Sequence, residues 1–358
     1  MSNNIVLLDY GSGGRASHRL ISDMFLRHFD NPILRMMDDA ARLELTGPLA
    51  MSTDSYVVDP IFFSGGNIGS LAVHGTINDV AMLGAKPRYI SCAFILEEGF
   101  DMESLEQIVA TMGEAARNAG VDIVTGDTKV VPRGACDKIF INTTGIGEII
   151  ANPAPSGHRA QAGDAILISG SMGDHGLTIL SQRQGLNFSA DIATDSAALN
   201  GTILRLIEEI GDIHVLRDPT RGGLATTLNE IAGQSQVVCH ILEDAIPVRE
   251  SVRNGCSFLG LDPLYLANEG KLICIVPEKD AEKALAILKE GPHGEHAARI
   301  GTVIEPAVEN STAQDPSAAI GGFGAAIRGK AGQVIMETPL GGHRLLSMLE
   351  GEQLPRIC

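Results

Sequence analysis

The stretch Asn152-Pro153-Ala154-Pro155-Ser156-Gly157 constrains this chain most, because two prolines and a glycine in six residues extend neither a helix nor an inner strand. It splits 358 residues into two parts, each long enough to bury its own core. Residues 1–155 read as one domain, 156–335 as a second, and 336–358 as a mobile tail. In the first, Ala50 to Asp54 reads as a strand ending in an acidic turn, followed by helical periodicity over 68–84. Asp101 caps a helix to about 118, with Leu105, Ile108, Val109, Met112 and Ala116 as its stripe and Gly120 as its stop. A strand over 121–124 breaks at Thr125-Gly126-Asp127, and Lys138 to Thr144 forms another. The second part alternates strands at 165–169, 271–276 and 299–304 with helices from about 175, at 224–233 and at 279–290. Turns fill 306–320. Strict βαβ regularity is missing, so the class is α+β.

Composition narrows the function. Trp is absent, aromatics are 4% and Gly numbers 41, which favours aliphatic cores and tight turns over a stacking platform for bases. A net charge of −17 argues against nucleic acid or anionic membrane as partner. Neither a membrane helix nor a secretory signal is visible, so the expected location is cytoplasmic. The cysteines at 92, 136, 239, 256, 274 and 358 have no paired spacing, which rules out a zinc ribbon and argues against a disulfide framework. Cys358 is the exception in placement. It ends Pro355-Arg356-Ile357-Cys358, either as an incidental thiol or as a carrier at the end of a swinging arm.

Carboxylates and glycines carry the remaining chemistry. On a helix at 100° per residue, Asp79 shares a face with Ile68, Leu71, Ala72, Gly75 and Leu83, so it either caps locally or holds a cation. Asp54 and Asp127, at strand ends, are further oxygen ligands for Mg²⁺, and the three are expected to converge on a polyphosphate. Lys129 shares Asp127's face in an extended segment. Gly11-Ser12-Gly13-Gly14-Arg15 is a flexible turn or an anion loop. Arg217-Asp218-Pro219-Thr220-Arg221-Gly222-Gly223 opens a helix with two arginines and suits phosphate. Glu269, before a strand, is a turn residue or a general base. The P-loop-like Gly324 to Lys330 has Ala331 where the metal-binding hydroxyl belongs, and reads as a surface turn. The loop His293 to His296 is assigned no metal.

In this order, the motifs resemble the HypE family of hydrogenase maturation proteins, within the AIR synthase (PurM-like) superfamily. The resemblance rests on the glycine loop, Ser52-Thr53-Asp54-Ser55-Tyr56, Asn78-Asp79-Val80-Ala81, Val124 to Val131, Arg217 to Gly223, Asn268-Glu269-Gly270-Lys271 and the cysteine-ended tail. It implies ATP and Mg²⁺ as cofactors, with Asp54, Asp79 and Asp127 on the metal. Gly11, Gly13, Gly14, Asn78, Thr128, Arg221, Gly222 and Gly223 would bind the nucleotide. Cys358 would be the carrier, with Lys129 and Glu269 as catalytic partners. It further implies carbamoylation of Cys358 by the carbamoyltransferase HypF, ATP-dependent dehydration to a thiocyanate, and cyanide transfer to a HypC–HypD complex. The implied fold is a homodimer with a barrel-like shared sheet, each chain carrying a C-terminal α/β domain. A selenophosphate synthetase or AIR synthase, or an ATP-binding scaffold without chemistry, is the competing reading.

Overall fold

The computed structural model describes residues 5–12, 14–186, 192–307, 329–349 and 356–358. Gly13, the turn-like stretch beyond Ala307, most of Gly324 to Lys330, and Pro355 lie outside the described residues.

The first sheet is built from β1 (Leu49–Tyr56), β2 (Ala85–Glu97), β3 (Asp122–Val131) and β4 (Ile139–Ile149), in spatial order β1-β4-β2-β3. Its pairs are antiparallel except β2 with β3. Alternation sets its faces: Ala50 and Tyr56 turn inward, as do Ile139, Ile141 and Thr143, while Leu49, Met51, Thr53 and Ser55 turn out. Helices α1 (Ile68–Met82) and α2 (Met102–Ala119) cover the inner face. In α2 the Asp101 carboxylate accepts from Ser104 N, Gly120 stops the helix at φ 70°, and all five expected stripe residues are buried. Helix α1 lies close on β4 because Gly145 has no side chain; a Cβ there would meet Thr76 Cγ2 at 2.8 Å. The outer face of this sheet is covered by no described element and exposes Met51 and Ile95.

The expected strand break at Thr125 is instead a bulge. The ladder with β2 runs from Asp122 to Val131 and steps over Val124, so the strand bends and continues. Gly126 lies against the Cys92 carbonyl, where a Cβ has no room. Asp54 and Asp127 consequently sit within strands rather than at their ends.

The second sheet contains β5 (Asp164–Ile168), β6 (Val215–Arg217), β7 (Val238–Leu242), β8 (Ile273–Pro277), β9 (Ala298–Ile304), β10 (Gln333–Glu337) and β11 (His343–Leu345). Its order is β11-β10-β7-β9-β5-β8-β6. Strand β5 is buried at every position, as a strand covered on both faces must be. Between these strands run α3 (Asp174–Arg183), α4 (Asn200–Ile210), α5 (Gly223–Ser235), α6 (Glu250–Leu259) and α7 (Ala281–Lys289). Helix α5 packs on one face; α4 and α7 pack on the other, in a cluster that also takes in Ala81 and Met82 of α1. The boundary expected at 335/336 falls inside β10. Val334, Met336 and Leu346 belong to the second core, so the ordered unit runs past it.

Candidate active site

Helix α1 is buried all round, with Ile77 and Val80 on other sides as fully covered as Leu71. Apolar neighbours therefore do not define one face, and Leu83, expected on Asp79's stripe, is 45% exposed. Near the end of the helix Asp79 leans into the cleft between the two domains. Ser52 Oγ donates to its Oδ2 at 2.7 Å. Asp54, two residues along the same face of β1, lies close enough to feel the Asp79 charge. Burial, then the Asp79 charge, pushes the Asp54 carboxyl up to about 6.

The second domain supplies the facing wall. Strand β6 ends at Arg217, and burial, then the Asp79 charge, raises the following Asp218 to about 7. Arg217 and Arg221 both line the cleft, the first held by Glu230 at 2.5 Å. Gly222 (φ 76°) and Gly223 (φ 61°) turn the chain into α5, whose N-terminus no side chain caps. A Cβ at Gly223 would meet the carbonyls of Leu264 and Leu266 at 2.6 Å, so only glycine brings the helix end this close. A cavity of about 430 Å³ lies here, lined by Ser52, Asp79, Asp218, Arg221 and Glu230 among others. Glu269, 4% exposed, is buried behind these acidic residues rather than on the cavity wall. Burial and the charges of Asp218, Asp195, Asp79 and Asp54 hold its carboxyl well above the usual range.

Cys358 is in the same place. Its carbonyl accepts from Val57 N at 3.1 Å, and Asp59 N donates to the Arg356 carbonyl at 3.3 Å. Arg356 binds Val57 O at 2.8 Å and Asp137 at 2.6 Å; Arg183 donates to the Arg356 carbonyl at 2.6 Å. His175 Nε2 donates to the Ile357 carbonyl at 2.9 Å, and the Ile357 side chain, 5% exposed, enters the first core. These contacts seat the thiol in the cleft, with Arg221 Nη1 3.9 Å from its sulfur. Burial, then the Glu269 charge, pushes the thiol up to about 12. At neutral pH it rests protonated.

Asp127 stands elsewhere. Strands β1 and β3 are opposite edges of the first sheet, three strand spacings or about 14 Å apart, so the three aspartates do not converge within one chain. Asp127 binds Lys129 at 2.7 Å, on one face as the extended spacing requires, and the lysine lowers its carboxyl. With Thr128 and Gly11 they line a second cavity of about 280 Å³, whose floor includes Phe25, Phe94 and Ile123. Gly14 precedes the six-residue helix Arg15–Leu20 and lines neither cavity. Asn78 is not available to a nucleotide. At 1% exposure its amide binds the carbonyls of Ala197 (2.9 Å) and Glu269 (3.4 Å), and its oxygen accepts from Leu199 N at 2.8 Å. It braces the two domains. Asp218 and Asp195 are the acidic residues that motif reading passed over; for Asp218 the signal was a carboxylate enclosed by two arginines.

Two family models match, the AIR synthase related protein N-terminal domain over residues 37–149 and its C-terminal domain over 161–313. The carbamoyl dehydratase HypE of Azotobacter vinelandii is 52% identical over 100% of this chain and 98% of its own length. That decides the family. This chain belongs to the HypE carbamoyl dehydratases. Among HypE structures, one in complex with ATP is 76% identical, superposes with a TM-score of 0.91, and covers 98% of this chain and 99% of that one. A HypE–HypF complex aligns at 45% identity and a TM-score of 0.75, over 92% of this chain and 99% of that one. The HypE fold accounts for the two mixed domains and the cleft between them. Within the described residues no helix is long and apolar enough to cross a membrane.

Proposed function

We propose that this chain uses ATP to dehydrate an S-carbamoyl group on Cys358 to a thiocyanate, the cyanide source for the iron of a [NiFe] hydrogenase. One observation carries the reading: the Cys358 thiol lies in an interdomain cleft with Arg221 against it and the electrostatically coupled Glu269 beyond. The thiocarbamate oxygen attacks the γ-phosphorus of ATP and ADP leaves. The nitrogen then gives up two protons, the C–O bond breaks, phosphate departs with the oxygen, and S–C≡N remains. Hydroxide, a poor leaving group, is thereby replaced by phosphate.

The residues divide the work. Glu269, made unusually basic by burial and its acidic neighbours, accepts a proton from the nitrogen. Arg221 and the uncapped end of α5 receive negative charge from phosphate. Burial, then mutual negative charge, raises the carboxyls of Asp54 and Asp218 beside Asp79, and three carboxylates gathered in this way fit a divalent cation. They would hold Mg²⁺, which when bound neutralises the polyphosphate. Asp127, Thr128, Lys129 and Gly11 belong to the nucleotide through a homodimer. No described element covers the outer face of the first sheet, and a two-fold axis along its strands lays one copy's β3 edge over the other's β1 edge. The partner's Lys129 would then stabilise charge on the transferring phosphoryl group.

By likeness to the HypE–HypF complex, a HypF carbamoyltransferase loads Cys358, which requires Ile357 to leave the core. In the same proposal a HypC–HypD complex accepts the cyanide. The test is loss of one water from carbamoylated Cys358 on adding ATP, with Glu269→Gln retaining nucleotide but not the reaction.

A further inference from the structure

Far from the cleft, strands β7, β10 and β11 bring three ligating side chains to one face of the second sheet. His343 lies directly opposite Glu337 in the antiparallel pair. His240 lies opposite Ile335 in the parallel pair, two residues from Glu337 and therefore on the same face. The intervening residues Cys239, Ile241, Val334 and Met336 point the other way, into the core under α5. The ligand atoms of His240, Glu337 and His343 all fall within 4.8 Å of one another.

We infer that His240, Glu337 and His343 form a binding site for a divalent transition-metal ion of the zinc type, separate from the carboxylate cleft. A tetrahedral ion with bonds of about 2.0–2.1 Å spaces its donors roughly 3.4 Å apart. His240 Nε2 is 3.3 Å from Glu337 Oε2, already at that spacing. His343 Nε2 is 4.0 Å from the same oxygen, on a side chain 40% exposed and free to close the difference by rotation. The alternative is a plain His–Glu ion pair. It does not account for His240: its Nε2 is sealed from water and makes no aligned hydrogen bond, even to Glu337. A buried ring nitrogen 3.3 Å from a carboxylate oxygen but off the hydrogen-bond line is an orphan that a cation between them satisfies.

The donor set selects the ion. Two imidazoles and one carboxylate suit zinc, cobalt or nickel, whereas Mg²⁺ prefers oxygen alone. Three protein ligands leave a fourth position for water, reached past the partly exposed Glu337 and His343. The ion would tie β11, an outer strand of three exposed residues, to β10 and β7.

Metal-stripped protein titrated with Zn²⁺ against a chromophoric chelator tests this. One Zn²⁺ per chain is expected, with affinity reduced about 100-fold or more in His343→Ala and in His343→Gln, the larger end of what even outer ligands contribute. Asp54→Asn, which alters only the cleft, leaves that binding unchanged. His343 is partly exposed, so both variants are expected to fold, and circular dichroism checks this. No stoichiometric Zn²⁺ binding, or binding equal in wild type and both folded His343 variants, overturns the site.

Discussion

Arg221 places a guanidinium nitrogen 3.9 Å from the sulfur of Cys358, joining the opening of α5 to the last three residues across the cleft. The arginine opposes the other influences on that thiol, since burial and the charges of Glu269 and Asp54 all raise its pKa. A buried, protonated sulfur is a weak nucleophile while seated.

Alkylation of Cys358 at pH 8 is therefore expected to be limited by opening of the tail. Ile357→Ala removes an anchor whose burial stabilises the seat by about 2 kcal/mol. It should raise the rate of iodoacetamide labelling at Cys358 at least about tenfold, read by peptide mass spectrometry. Equal rates would mean that Ile357 does not hold the seat.

The cleft carboxylates predict an unusual pH dependence of the nucleotide-free protein. Asp54 rises from 3.8 to about 6 and Asp218 from 3.8 to about 7 on folding. A raised carboxyl favours the folded state only while protonated, so this contribution is complete below about pH 4 and is lost as pH climbs through 6 and 7. Asp218→Asn should raise Tm at pH 8 by a few degrees and leave it unchanged near pH 4. A Tm gain equal at both pH values would contradict the assignment.

Asp79 is exposed to the cleft and bonded to Ser52. Asp79→Asn is expected to weaken Mg-ATP binding at least about tenfold by calorimetry, the loss of one charged ligand. Unchanged affinity would make Asp79 a structural residue.

Asn78 separates bracing from binding. Asn78→Ala leaves Leu199 N and the Ala197 carbonyl without their partner, at a cost of about 2 kcal/mol in urea unfolding. The folded variant should bind nucleotide as wild type does. A loss of affinity with stability unchanged would return Asn78 to the nucleotide site.

What the sequence disclosed follows from which signals are local. Helix α2 was legible to its ends because Asp101, the stripe and Gly120 act within a few residues of one another. Helix α1 was found, but its faces were not, since burial against both domains erases the contrast that periodicity needs. The bulge at Val124 is a property of the β2–β3 register, which no single segment encodes. The same holds for Asp127: its motif is plain, yet its distance from Asp54 depends on strand order. The seat of Cys358 was likewise hidden, because Val57, Asp137, His175 and Arg183 meet the tail only after folding.

The central claim is that Cys358 carries its cargo into this cleft for dehydration. Protein carbamoylated at Cys358 and incubated with Mg-ATP should show its C-terminal peptide lighter by the mass of one water, with one phosphate released per chain. A peptide mass unchanged by ATP, in protein shown to bind the nucleotide, would contradict the account.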